Sequence, residues 1–270
     1  MIEHCLPYAL DNLAHWAVTY GAGPRETVLA VWKKKLDTED DHLVVRFLFL
    51  LQISNDRIVD LIHESDRIRE HKKPQYTAAV KGFGNLITVY RLNENWKSLA
   101  HSCATEKNAA YVSAIAESLQ SFYPKEKIEE NEIAELADKL EKIKIELEQK
   151  VSDVLLRNYL VKELELMSLC LKHFEIIGGM GIEESAGNML QKCITQRDKI
   201  PIQTLKKVLG ITLSSLRLLS LISGAYAGAK DVANGGAWLL EVTQVLGNAE
   251  MSDIKLIEDQ SAKSDDQIDV

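Results

Sequence analysis

Arg57, Asp60 and His63 are the side chains in this sequence whose types and spacing could support chemistry. Histidine exchanges protons near neutral pH, and arginine holds a phosphate through paired hydrogen bonds. Each of these residues lies three positions after the previous one, so a helix would place Asp60 one turn from both of the others. The set would suit phosphate chemistry, and Asp60 with His63 would also supply half of a helical metal site.

The pair Arg57 and His63 resembles the arginine–histidine pair of the HEPN ribonucleases, all-helical enzymes that present it at a dimer interface. The resemblance implies RNA cleavage in which Arg57 steadies a phosphate and His63 moves a proton. However, a chain with seven histidines and many arginines is expected to contain such a spacing by chance. Ile58 also stands where a polar residue usually follows the arginine. We therefore predict that neither residue is catalytic, and a HEPN-like ribonuclease is the second alternative function.

Two patterns that would indicate a metal or a cofactor are incomplete. A helical di-metal site needs the carboxylate-x-x-histidine pair twice, and Asp60–His63 has no second copy. The run Gly178-Gly179-Met180-Gly181 follows a helical pattern rather than a strand, and it lacks the lysine of a phosphate loop. We predict that this run ends a helix. The sequence thus predicts no catalytic residue, no metal site and no cofactor.

The clearest structural pattern is an apolar seam with spacings of 3, 4, 3 and 4, typical of a heptad repeat. Its members are Ile133, Leu136, Leu140, Ile143 and Leu147. No glycine or proline occurs from residue 125 to residue 177, so we predict one long helix ending near Ile177. Five apolar residues on one face should not be left in water. We predict that the seam binds a protein partner or a second copy of the chain; otherwise the N-terminal lobe folds back over it.

The second half of this helix carries a broad apolar stripe from Val151 to Phe174, which is typical of a bundle core. Within the most apolar region, residues 205–246, the stretch 208–229 is about long enough to span a bilayer, and Gly224 and Gly228 would allow close helix packing. Arg217 near its middle would be costly in hydrocarbon. We predict that residues 205–246 pack as a core hairpin against residues 155–174. The first alternative function is a membrane-acting effector, of a bacterial toxin or defence type, that inserts residues 205–246.

Composition indicates a helical protein that works in a reducing compartment. The chain has 270 residues, of which only 14 are glycine and 5 are proline, and this scarcity favours helix over sheet. The net charge of −8 comes with no concentrated basic face, so no nucleic-acid partner is expected. The four cysteines show no zinc spacing, and the N-terminus has no long apolar run, so we expect a cytoplasmic location.

These patterns together predict an all-α fold, a multi-helix bundle in two lobes joined by the long helix. The predicted N-terminal lobe is residues 1–124, the long helix and C-terminal bundle are residues 125–249, and residues 250–270 form a disordered acidic tail. Residues 43–53 are almost wholly apolar and fit a buried helix or strand. We predict a helix there, because no second strand is available to pair with it, and a further helix from Ser54. The predicted function is a non-enzymatic protein-interaction or regulatory module.

Overall fold

The computed structural model describes residues 2–4, 6–119, 126–128 and 130–222. These residues form an all-α fold, as the composition predicted. The helices are α1 (Leu6–Thr19), α2 (Val28–Leu36), α3 (Asp41–Glu64), α4 (Lys73–Ile87), α5 (Trp96–Cys103), α6 (Glu106–Leu119), α7 (Glu130–Lys150), α8 (Val154–Lys172), α9 (Phe174–Ile177), α10 (Met180–Thr195) and α11 (Ile202–Ile222). Two three-residue strands, β1 (Ile2–His4) and β2 (Glu126–Ile128), pair antiparallel with Ile2 opposite Ile128.

The apolar run at residues 43–53 is helical, as predicted, and the acidic cluster before it provides the cap. The Asp40 carboxylate accepts hydrogen bonds from the backbone N–H groups of His42 at 2.9 Å and Leu43 at 3.2 Å. The prediction of a new helix at Ser54 was wrong, because α3 continues unbroken to Glu64. The Ser54 hydroxyl donates to the Leu50 carbonyl at 3.1 Å, so it bonds within the helix instead of capping a new one.

The chain folds into two compact units, which are interleaved in sequence. The first comprises Met1–Glu130 and Glu165–Gly181, and the second comprises Asn131–Leu164 and Ile182–Val270. The return of residues 165–181 to the first unit is not visible in the sequence pattern. Within the first unit α1 packs against α6, and α3 packs against α4. The indole N–H of the fully buried Trp32 donates to the Leu86 carbonyl at 2.8 Å, which satisfies the only polar atom of that side chain.

The long helix predicted to reach Ile177 is interrupted after Lys150, so that prediction was wrong. Asp153 caps the start of α8, because its carboxylate accepts the backbone N–H of Leu156 at 3.0 Å. The Lys199 ammonium lies 2.9 Å from the same carboxylate. Together the Leu156 N–H and Lys199 lower the pKa of Asp153. Two helices, α7 and α8, therefore stand where one continuous helix was predicted, although residues 151–153 contain neither glycine nor proline.

The glycine run ends a helix, as predicted. Gly178 has a φ of 66°, and its N–H donates to the Phe174 carbonyl at 2.9 Å. Gly181 lies within the first turn of α10, where a Cβ atom would come 2.5 Å from the Cys170 sulfur. Glycine is therefore required at 178 for its backbone conformation and at 181 for close packing.

Residues 205–222, which belong to α11, are the described part of the region 205–246. Leu205, Val208 and Leu209 are buried, which agrees with a core role for this part of the helix. No helix within the described part of the chain is long and apolar enough to cross a membrane. Residues 223–246, including Gly224 and Gly228, and the side chain of Arg217 lie outside the residues that can be described, as does the acidic tail. The hairpin and the membrane alternative stay predictions.

Candidate functional site

Arg57, Asp60 and His63 all lie exposed on α3. Arg57 and His63 are six residues apart, which on an α-helix means about 120° of rotation and about 9 Å of rise. His63 Nε2 lies 3.2 Å from the Thr77 hydroxyl on α4, and Arg57 does not share that contact. The helix therefore points the two side chains in different directions within one chain. That neither is catalytic stays a prediction. Among the described residues, no group of three or more His, Cys, Asp and Glu side chains is placed to hold a metal ion.

The heptad seam lies on α7, in the second unit. Leu136, Leu140, Ile143 and Leu147 are buried and Ile133 is half-buried. Most of the seam is therefore shielded from water in the structure. A partner would therefore need another surface, or would have to displace whatever covers the seam.

Helix α11 is held beside α7 through Glu146. Next to Leu147, the Glu146 carboxylate accepts hydrogen bonds from the Thr204 hydroxyl at 3.0 Å and the Lys207 ammonium at 2.6 Å. Lys150 donates to the same carboxylate at 2.9 Å. The bonds from Lys207, Lys150 and Thr204 hold the pKa of Glu146 at about 2, although burial acts in the opposite direction. Glu146 thus stays ionised and ties α7 to α11.

An exposed apolar surface remains at the start of α8. We call it the apolar patch, and it consists of Val154, Leu155, Tyr159 and Ile202. Leu155 is 84% exposed, and Val154 and Ile202 are each more than half exposed. The ion pair between Asp153 and Lys199 joins the segments just before α8 and α11, and Val154 and Ile202 each follow one of its two residues within three positions. The broad apolar stripe predicted that Val154, Leu155 and Tyr159 pack in a bundle core, but in the structure all three side chains are exposed.

A surface cavity of about 240 Å³ adjoins the apolar patch, because Tyr159 belongs to both. Its other lining residues come from one face of α10, and they are Asn188, Gln191, Lys192 and Thr195. The Lys192 ammonium lies 5.2 Å from the centre of the Tyr159 ring. The cavity therefore presents one cation, two side-chain amides and an aromatic face, a set that suits a small anionic group. Sequence reasoning missed it, since residues 33 positions apart carry no shared motif.

Comparisons with known proteins assign no function to these surfaces. The chain was compared with protein-family models, with curated proteins and with solved structures, and no match was found.

Proposed function

We propose that this chain is a non-enzymatic helical protein-interaction module that binds its partner on the apolar patch. The observation that carries the proposal is the exposure of Leu155 on a helix whose later apolar residues, such as Leu160 and Leu164, are buried. Grouped aliphatic side chains in water mark binding surfaces, because covering them releases ordered water and is favourable. The patch, rather than the buried seam, is the part of the long helical pattern open to a partner.

The partner expected on this surface is a segment of another protein with apolar side chains along one face. Val154 and Leu155 stand at the first turn of α8, and Tyr159 follows one turn later. A row of this kind is matched by an amphipathic helix, whose apolar residues recur every three or four positions. Lys192 beside Tyr159 adds positive charge at one end of the row. The surface therefore favours a partner segment that is apolar in the middle and neutral or acidic at one end.

A reducing compartment such as the cytoplasm suits this module. Cys103, Cys170 and Cys193 are free and buried in the structure. Free thiols that serve as small apolar core residues are typical of proteins kept in reducing surroundings. We therefore propose an intracellular partner.

The proposal is tested by selecting peptides from a random displayed library on the purified full-length protein. Affinities of the selected peptides are then measured by fluorescence polarisation for the wild type and for Leu155→Glu. Burying one leucine contributes about 1.5–3 kcal/mol, so Leu155→Glu should weaken binding by about tenfold or more.

Phe49→Glu is the matched control, because Phe49 is 57% exposed and lies on α3 in the first unit. It removes a comparable apolar surface and adds the same charge, and it should leave affinity unchanged. Both variants should keep the wild-type melting temperature within a few degrees. Failure to select any binding peptide, or equal affinity for wild type and Leu155→Glu, would overturn the proposal.

A further inference from the structure

We infer that the cavity lined by Tyr159 and Lys192 receives a carboxylate of the partner segment bound on the apolar patch. This inference rests on the proposed function, since the same partner segment covers both surfaces. The carboxylate belongs to an Asp or Glu side chain or to the C-terminus of the partner. The cavity volume of about 240 Å³ accommodates such a group but is smaller than the usual pocket for a drug-sized molecule.

Lys192 provides the charge that the carboxylate neutralises. Its ammonium lies over the Tyr159 ring, and no carboxylate within the described part of the chain pairs with it. By contrast, Lys150, Lys199 and Lys207 in the same unit each contact a carboxylate. An ammonium is attracted more strongly to an anion than to an aromatic face. Lys192 is therefore held at the cavity by Tyr159 with its charge still available.

The remaining polar groups of the cavity favour an acceptor-rich ligand. The amides of Asn188 and Gln191 each carry two N–H donors, and an ionised carboxylate has room for several donated hydrogen bonds. The Thr195 hydroxyl already donates to the Gln191 carbonyl at 2.9 Å, so it is committed to its own helix. One ammonium and two amides together match the two oxygens of a single carboxylate.

The position of the cavity on α10 favours one negative charge over two. Lys192 and Thr195 lie in the last turn of that helix, where the backbone dipole presents partial negative charge. The dipole stabilises the Lys192 ammonium but opposes a bound anion, and more strongly a doubly charged one. A phosphate group carries nearly two charges at neutral pH, and Lys192 is the one basic residue among the described residues that line the cavity. A carboxylate is therefore the better ligand.

Tyr159 sets the distance between the apolar and acidic parts of the partner. It stands one helical turn after Leu155 on α8, and neighbours at this spacing have Cβ atoms about 6 Å apart. A partner residue on Leu155 thus places its acidic group about one turn away, above Lys192. If the segment is helical, its apolar and acidic residues should be three or four positions apart.

The test uses peptides selected from the random library on the wild-type protein, with Lys192→Gln as the principal variant. Loss of a charged hydrogen-bonding partner should weaken binding about tenfold. Replacing the acidic residue of the peptide by its amide should cause the same loss with wild type and no further loss with Lys192→Gln. Amidating the peptide C-terminus distinguishes a terminal carboxylate from a side-chain one. Lys206→Gln, an equal charge change in the same unit, is the matched control and should bind normally.

Reversing the charge of residue 192 provides a second, independent test of the carboxylate inference. Lys192→Glu should reject the acidic peptide and recover affinity for a peptide in which that acid is replaced by lysine. If Leu155→Glu abolishes binding while Lys192→Gln leaves it unchanged, the carboxylate inference is wrong and the proposed function stands. Selected peptides that are basic or lack any acid would also overturn the inference. If neither Leu155→Glu nor Lys192→Gln affects binding, both the proposed function and the inference fail.

Discussion

Replacing Glu146 by glutamine should destabilise the second unit, because Glu146 is the charged centre of the contact between α7 and α11. Its carboxylate accepts hydrogen bonds from Thr204, Lys207 and Lys150. Glutamine keeps the size and one acceptor oxygen but removes the charge. The substitution therefore tests the electrostatic part of the contact with little change in packing.

The magnitude follows from the pKa. A carboxyl group whose pKa falls from an ordinary 4.5 to about 2 on folding has its ionised form favoured by about 3 kcal/mol. Lys150 and Lys207 keep 50% and 55% of their side-chain surface in water, so solvent screens much of that attraction. The expected loss in the free energy of unfolding at pH 7 is about 1–2 kcal/mol.

The same loss should depend on pH with a definite sign. Because the pKa of Glu146 is lowered on folding, its contribution is complete above pH 4.5 and disappears as the pH falls toward 2. Urea denaturation of wild type and Glu146→Gln at a series of pH values from 7 to 2 measures this. The two unfolding free energies should differ at pH 7 and converge near pH 2.

Glu148→Gln, on the same helix at an exposed position, is the matched control and should change stability little. A double-mutant cycle with Lys207→Met separates the Lys207 contribution from the rest. Equal stability of wild type and Glu146→Gln at pH 7 would refute the electrostatic reasoning. So would a difference that persists unchanged at pH 2.

Three further substitutions and one chemical treatment test the packing and the buried titratable groups. Gly181→Ala should destabilise the protein by about 1–3 kcal/mol, because the new Cβ would lie 2.5 Å from the Cys170 sulfur. Gly187→Ala has open space around its Cβ and should stabilise the protein by up to about 1 kcal/mol. Thermal melts compare the two variants. Burial lowers the pKa of His173, so the stability of the wild type should fall as the pH drops below 6.5. Urea titrations at pH 7.5 and 5.5 should show this fall for the wild type and not for His173→Gln. Burial raises the pKa of Cys193 to about 12 and that of Cys170 well above its ordinary range; peptide mapping after iodoacetamide treatment at pH 8 should find both unmodified in native protein and alkylated in denaturant.

The sequence specified local structure well where one segment contains all the interacting groups. Asp40 lies directly before the helix that contains the apolar run, so the cap and the helix at residues 43–53 could be predicted together. Gly178 likewise acts through its own backbone and the carbonyl of Phe174, four residues earlier. Periodicity and capping rules describe interactions between residues a few positions apart in sequence. The all-α class and these helix boundaries could therefore be predicted from the sequence.

The features that the sequence did not predict depend on groups distant in sequence. The interruption before α8 involves Asp153 and Lys199, 46 residues apart, and the contact between α7 and α11 joins Glu146 and Lys207, 61 residues apart. A heptad pattern shows that residues share a face but does not show what covers it. The same limit hid the exposure of Leu155, since an apolar stripe has the same spacing whether all of it or only part of it is buried.

The apolar patch, and not the heptad seam, should be the surface that changes when the partner binds. Methyl-labelled NMR spectra of the full-length protein, recorded during titration with a selected peptide, measure this at both surfaces. The methyl signals of Leu155 and Ile202 should shift or broaden, with those of Leu140 and Leu147 unchanged. Perturbation of Leu140 and Leu147 with no change at Leu155 would show instead that the seam itself opens to the partner, and the proposed binding surface would be wrong.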